Sequence, residues 1–336
     1  MQEISFLFWI GIFFGGYLII FLFADIFIDN LKILCIIYGV SPFIIGSMVL
    51  GIDPEESIAS IIASINGLPY IAVGNVIGNS IIALTLCFSL PALFYEIKFK
   101  KVSKFYFVII FSCLFFILFS FLITSGLLIF GSACLLAYLL YLIRNIRYIS
   151  KEKEIDFNVE NELLEYEEEG EIKEITKKSK LKMVFLILIS LIFIIIGGEL
   201  LIYSTTELIK MTGISESIFG FIIIALTTNV EELTLVLKSI KKHTVEIGLG
   251  GMIGKIIWNF TITFGISGII ALNITFDWNL IWNWIILLLI ISYFYTISWK
   301  KSLTRRDGVF LFIIFIIFLI FNILLPVNVG LLYGFF

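Results

Sequence analysis

Histidine occurs once in the 336 residues, at His243, and cysteine four times. A single imidazole leaves too few nitrogen ligands for the usual zinc centres and no freedom to build the usual nucleophilic triads. Cys35, Cys87, Cys113 and Cys134 sit within or beside apolar segments, without metal-binding or disulfide spacing, and read as small buried hydrophobes. Charge is also scarce. Lys, Arg, Asp and Glu together make 15% of the chain and the formal net charge is −3, which offers no basic surface for nucleic acid. Chemistry must therefore come from carboxylates, amides and backbone.

What fills the chain is hydrocarbon. Hydrophobic residues make up 60% and the mean hydropathy is +1.10, well outside the soluble range. A membrane-crossing helix needs about 20 mostly apolar residues. Ten such stretches occur, near 5–28, 38–65, 69–92, 105–123, 126–143, 182–203, 214–238, 246–271, 280–298 and 309–330. The first lacks a basic leader, since only Gln2 and Glu3 follow the initiating methionine, and so reads as a retained span. The lipid bilayer is thus the expected partner; the sequence leaves the oligomeric state open.

Basic residues mark one side. Lys98, Lys100, Lys101 and Lys104 follow the third span, Arg144 and Arg147 the fifth, Lys238, Lys241 and Lys242 the seventh, and Lys300, Lys301, Arg305 and Arg306 the ninth. The intervening turns, such as Asn66–Pro69, carry almost no charge. The positive-inside rule then places the odd-numbered ends in the cytoplasm and both termini outside the cell membrane. Residues 1–143 and 182–336 each hold five spans, so the halves enter from opposite sides, the inverted repeat of many secondary transporters. The expected class is an all-α polytopic membrane protein of ten helices. The connecting stretch 144–181 carries eleven acids between Glu152 and Glu174 and reads as a solvated cytoplasmic linker, too short for its own core.

The two halves also repeat a motif. Residues 39–83 and 213–259 each open G-[VI]-S, place a glycine seven residues after the first, and reach an acidic pair ending in Glu56 or Glu232. Glycines follow those glutamates by 18 residues (Gly74, Gly250) and by 22 (Gly78, Gly254). A charge near the bilayer centre costs about 2.5–3.5 kcal/mol on insertion scales, so such acids face a cavity or a partner. Span two carries Asp53, Glu55 and Glu56, interrupted by Gly51 and Pro54; span seven carries Thr227, Thr228, Asn229, Glu231 and Glu232. A broken helix frees carbonyl oxygens, and carboxylates add charge, which together suit a hard cation. Adjacent helical residues lie about 100° apart, so one member of each acidic pair faces the site.

These motifs resemble the alpha-repeats of the cation/calcium exchanger superfamily, which includes the sodium/calcium exchangers. GVSPFIIG and GISESIFG match its opening, LGIDPEE and ALTTNVEE its acidic segment, and GNVIGNSIIA and GGMIGKIIWN its glycine-rich helix; FADIFID resembles the approach to the first repeat. The resemblance implies broken helices 2 and 7 and a calcium/cation antiporter, not an enzyme, that holds no cofactor and uses sodium or protons as coupling ions. It implies Glu56 and Glu232 as the principal cation ligands. Ala225 matches a backbone-carbonyl position and Thr228 a threonine, Asp53 and Asn229 stand in serine positions, Asn79 replaces another serine, and Asn259 falls where members carry Asn or Asp. The chain departs from the pattern at Ile52, at Ala83, and in a first repeat two residues shorter from Gly46 to Glu56 than from Gly220 to Glu232.

Lys255 stands where the family places a sodium-binding serine. About ten residues into its span, it is expected to pair with Glu232, or else with Asp53 or Glu56. Its ammonium is then a tethered monovalent cation, and with three carboxylates the group sums to about −2, predicting weaker sodium dependence and noticeable pH dependence. The alternative is a degenerate scaffold or ion sensor that Lys255 locks. An intramembrane hydrolase using the paired acids would explain neither the inverted repeat nor the glycine-rich helices.

Overall fold

The computed structural model describes residues 2–37, 51–98, 102–149, 177–214, 219–229, 232–233, 236–237, 240, 245–274 and 277–324. The opening of the first repeat at Gly39, Ser41 and Gly46, together with Glu231, His243 and the acidic run, lies outside the described residues.

The protein is a multi-pass, all-helical membrane protein. In chain order its helices are α1 (Gln2–Ile37), α2 (Pro54–Ile65), α3 (Pro69–Phe94), α4 (Lys104–Leu122), α5 (Gly126–Ile149), α6 (Lys177–Thr212), α7 (Ala225–Thr228), α8 (Val245–Trp258), α9 (Phe264–Ala271), α10 (Trp278–Lys300) and α11 (Arg305–Leu324). Two wide π-helical turns are spliced in, Phe219–Ile224 leading into α7 and Asn259–Thr263 joining α8 to α9. Among the described residues eight helices are long and apolar enough to cross a membrane. The two remaining expected spans, 38–65 and 214–238, fall partly outside those residues. What is described of them is residues 51–65, 214, 219–229, 232–233 and 236–237, which include α2 and the Phe219–Thr228 segment.

Both spans break at the acidic motif. The α2 helix begins at Pro54, whose missing N–H costs nothing in a first turn, with Asp53 as its cap: the Asp53 Oδ1 accepts from the Glu56 N–H at 3.1 Å. On the other side α7 stops at Asn229, whose side-chain amide donates to the Ala225 carbonyl at 2.7 Å and satisfies one of its terminal acceptors.

Glycines let the broken spans approach the repeat helices at backbone distance. A Cβ on Gly51 would lie 2.7 Å from the Gly254 carbonyl carbon, and one on Gly220 would lie 2.8 Å from the Ile71 oxygen. Hence α8 runs directly against the start of α2, while α3 runs against the Phe219–Ile224 turn. The halves thus interlock reciprocally, each repeat's third helix covering the other repeat's broken one.

The ends of the spans agree with the inverted arrangement. Short strands β1 (Ile97–Lys98) and β2 (Ser302–Leu303) pair antiparallel, which puts the ends of α3 and α10 on one face. At the other face the Ser125 N–H donates to Asn273 Oδ1 at 2.6 Å, joining the α4–α5 turn to the α9–α10 turn. Apolar packing divides into two bodies. The larger gathers α3, α4, α5, α8, α9, α10 and α11; the smaller holds α1 against α6 and part of α2, with Gly16 and Gly197 at their crossing.

Candidate functional site

The reciprocal crossing decides where the polar groups fall. Because Gly254 abuts Gly51, the next residue along α8, Lys255, is delivered to the first turn of α2. Its ammonium lies 2.8 Å from Asp53 Oδ2 and 3.0 Å from Glu56 Oε1, and it donates a hydrogen bond to Glu232 Oε1. All four groups are buried, at 6% exposure for Lys255, 7% for Asp53, 0% for Glu56 and 9% for Glu232. One oxygen from each of the three carboxylates lies within 4.8 Å of the others. Lys255 was expected to choose one acid; it meets all three. Asp53 serves twice, capping α2 through Oδ1 and meeting the ammonium through Oδ2.

The remaining oxygens are unequally committed. Asn259, first residue of the π turn after α8, donates to Glu56 Oε2 at 2.6 Å. Asn79 donates to Thr228 Oγ1 at 2.9 Å, and Thr228 Oγ1 also lies 3.3 Å from both the Ile224 and Ala225 carbonyls. The Ala225 oxygen is thereby engaged within its own helix, by Thr228 and by the Asn229 amide. By contrast, Glu232 Oε2 and Asn79 Oδ1 are buried acceptors with no hydrogen-bond partner among the described residues. Glu232 Oε2 is thus an uncommitted oxygen within the carboxylate cluster, of the kind a hard cation can coordinate.

Of the eight expected ligands, Asp53, Glu56 and Glu232 meet around Lys255 with Asn259 joined to Glu56, while Asn79, Thr228, Ala225 and Asn229 are joined to one another. Around them lies a polar layer that sequence reasoning missed. Ser57 Oγ meets Thr263 Oγ1 at 2.7 Å and accepts from Trp258 Nε1 at 2.8 Å, and Thr263 donates to Asn259 Oδ1 at 3.2 Å. Asn75 donates to Ser60 Oγ at 3.0 Å and approaches the Glu56 carbonyl at 3.4 Å. Cys87 reaches the Asn229 carbonyl at 3.5 Å through its thiol. The available signal was position: Ser57 adjoins Glu56, Asn75 adjoins Gly74, and Trp258 adjoins Asn259. Glu55 is buried as well but lies outside the cluster of three carboxylates.

Against known proteins, a family model described as "Sodium/calcium exchanger protein" matches residues 8–147 and 182–324. The inner membrane protein YrbG of Escherichia coli K12 is 25% identical over 303 residues, which is 88% of this chain and 90% of that one. The membrane protein MJ0091 of Methanocaldococcus jannaschii is 26% identical over 253 residues, 73% of this chain and 76% of its own. Among solved structures, the sodium-calcium exchanger NCX_Mj soaked with 2.5 mM Na+ and 10 mM Sr2+ superposes with a TM-score of 0.56 at 23% identity, covering 93% of this chain and 98% of that one. The H+/Ca2+ exchanger CAX gives a TM-score of 0.72 at 16% identity, covering 93% and 82%. These two likenesses carry the fold.

Proposed function

The chain belongs to the sodium/calcium exchanger protein family, a family of membrane transporters, and on that premise we propose that it is a secondary antiporter moving calcium or a related divalent cation against sodium or protons by alternating access. Three buried carboxylates gathered around one ammonium carry this reading. With all four ionised the group sums to −2, a charge that one divalent cation neutralises. Glu56 and Glu232 act as the principal ligands. Asp53, Asn79, Ala225, Thr228, Asn229 and Asn259 supply or position further oxygens. The names of the sodium-calcium exchanger NCX_Mj and the H+/Ca2+ exchanger CAX pair calcium with sodium and with protons respectively, so both coupling ions stay in the proposal. Both termini lie outside and the 144–181 linker in the cytoplasm, on the strength of the basic residues after the odd spans.

The test is uptake into inverted vesicles or proteoliposomes, with calcium, magnesium and manganese in parallel, each with and without a sodium or pH gradient. Gradient-driven accumulation of one of these ions supports the antiporter. A second reading takes the same Lys255 contacts as a permanent lock, in a membrane scaffold or ion sensor that no longer transports. Absence of flux for every ion under every gradient favours that reading and sinks the first.

A further inference from the structure

Lys255 also bears on how much charge the transport cycle moves. The motif glutamates, Glu56 and Glu232, are 176 residues apart, as are Gly74 and Gly250, and Gly78 and Gly254. The same offset relates Asn79 to Lys255 and Asp53 to Asn229. The glutamates and glycines are thus matched in kind, whereas Asn79 and Lys255, and Asp53 and Asn229, are counterparts of different chemistry. At the first stands a neutral side chain, Asn79, whose buried Oδ1 has no hydrogen-bond partner among the described residues. At the second, a covalently held ammonium occupies the equivalent place and contacts all three carboxylates. One positive charge among the carboxylates is therefore built into the chain.

We propose that Lys255 makes the exchange electroneutral, one divalent cation for two monovalent ones. This rests on the antiporter reading given above. An occluded site in low dielectric crosses between its two openings readily only when its charges are close to balanced. With all four ionised, the resident groups sum to −2: three carboxylates, Asp53, Glu56 and Glu232, against one ammonium. The cargo that balances them is +2 in either direction. A divalent ion carried one way and two monovalent ions carried the other leave no net charge moved. Without the ammonium the residents sum to −3. Three monovalent ions then balance the site, one divalent ion falls a charge short, and the cycle carries one net charge across the membrane.

This difference is read as voltage sensitivity. A membrane potential of about 100 mV acts on one elementary charge with about 2.3 kcal/mol, a factor of about 50 in an equilibrium ratio. The experiment uses proteoliposomes of the full chain with a fixed sodium gradient, a potential clamped by potassium and valinomycin, and radioactive calcium as the probe. The steady accumulation ratio is measured at zero and at about 100 mV, and the sodium gradient that just cancels calcium movement gives the coupling ratio. The wild type is expected to hold the same accumulation at both potentials and to balance at two sodium ions per calcium. Lys255→Ser is expected to shift its accumulation about 50-fold between those potentials, and Lys255→Arg, which keeps the charge, to remain insensitive. If Lys255→Ser fails to fold, the wild-type coupling ratio and voltage response decide alone, since a ratio other than two or a voltage-shifted accumulation overturns the proposal. A serine variant that transports without voltage sensitivity overturns the role given to Lys255. If sodium drives no calcium, the same measurement is made with a pH gradient. Failure of both gradients to drive any calcium, magnesium or manganese overturns the antiporter reading itself, a result distinct from voltage-sensitive transport.

Discussion

Replacing Glu56 with Gln tests the carboxylate cluster at its most buried member. The change keeps the side chain's shape and removes one negative charge, taking the resident sum from −2 to −1. Two unit charges about 4 Å apart interact with about 4 kcal/mol at an effective dielectric near 20, and a divalent ion doubles that before its lost hydration is counted. The amide oxygen of Gln still offers a ligand, so a net loss on the order of 3–4 kcal/mol is expected, a fall in divalent affinity of about 10²–10³-fold. The fold is expected to survive, because Lys255 keeps Asp53 and Glu232 as partners. One local conflict remains: Asn259 donates to Glu56 Oε2 while Lys255 faces Oε1, so one of these two donors meets the new amide nitrogen. That costs about 1–3 kcal/mol of stability. Calorimetric titration of the purified protein with calcium, beside a thermal melt and vesicle uptake, separates the two effects. Near-normal divalent affinity and uptake in a folded Glu56→Gln protein would refute the site assignment. Glu55→Gln serves as the control and should weaken binding far less.

The other expectations are independent of the cluster. Cysteines introduced near Lys101, Glu160 and Lys242 should be labelled only from the cytoplasm, and those near Gly67 and Asp277 only from outside; external labelling at position 160 would overturn the orientation. Asn283 and Asn322 exchange reciprocal amide hydrogen bonds at 2.8 Å between α10 and α11. Either single Leu substitution should cost about 1–2 kcal/mol, whereas the double Leu variant should recover most of that, as measured by unfolding in detergent. At Gly78 an added Cβ would lie 2.7 Å from the Phe221 Cα, against backbone that cannot swing aside. Gly78→Val should therefore destabilise by about 1–3 kcal/mol or more and lower the monodisperse fraction on gel filtration.

The helical class and the convergence of the acids were legible because both rest on one-dimensional signals. Long apolar runs mark the spans, and a repeated motif, with glycines 18 and 22 residues after each glutamate, marks Glu56 and Glu232 as equivalents. Gly51 and Pro54 marked the interruption of the second span. The π turns were not legible, since a one-residue widening leaves no periodic signature in so short a stretch, yet the turn at Asn259–Thr263 carries Asn259 to Glu56 and Thr263 to Ser57. Nor could spacing reveal that Lys255 meets three acids. That depends on the Gly51–Gly254 approach, a distance between backbones that no local pattern encodes. The commitment of the Ala225 oxygen to Asn229 and Thr228 was hidden for the same reason: the sequence names a carbonyl but not which donors reach it first.

The equivalence of Asn79 and Lys255 has a consequence in the language of codons. Asparagine and lysine share their first two bases and differ only in the third, whereas the common serine codons lie at least two bases from lysine. A single transversion at position 255 would thus turn the ammonium into the carboxamide found at its counterpart, and a single transversion at position 79 would do the reverse. The fixed charge of this membrane site sits one nucleotide away from change in either half of the gene.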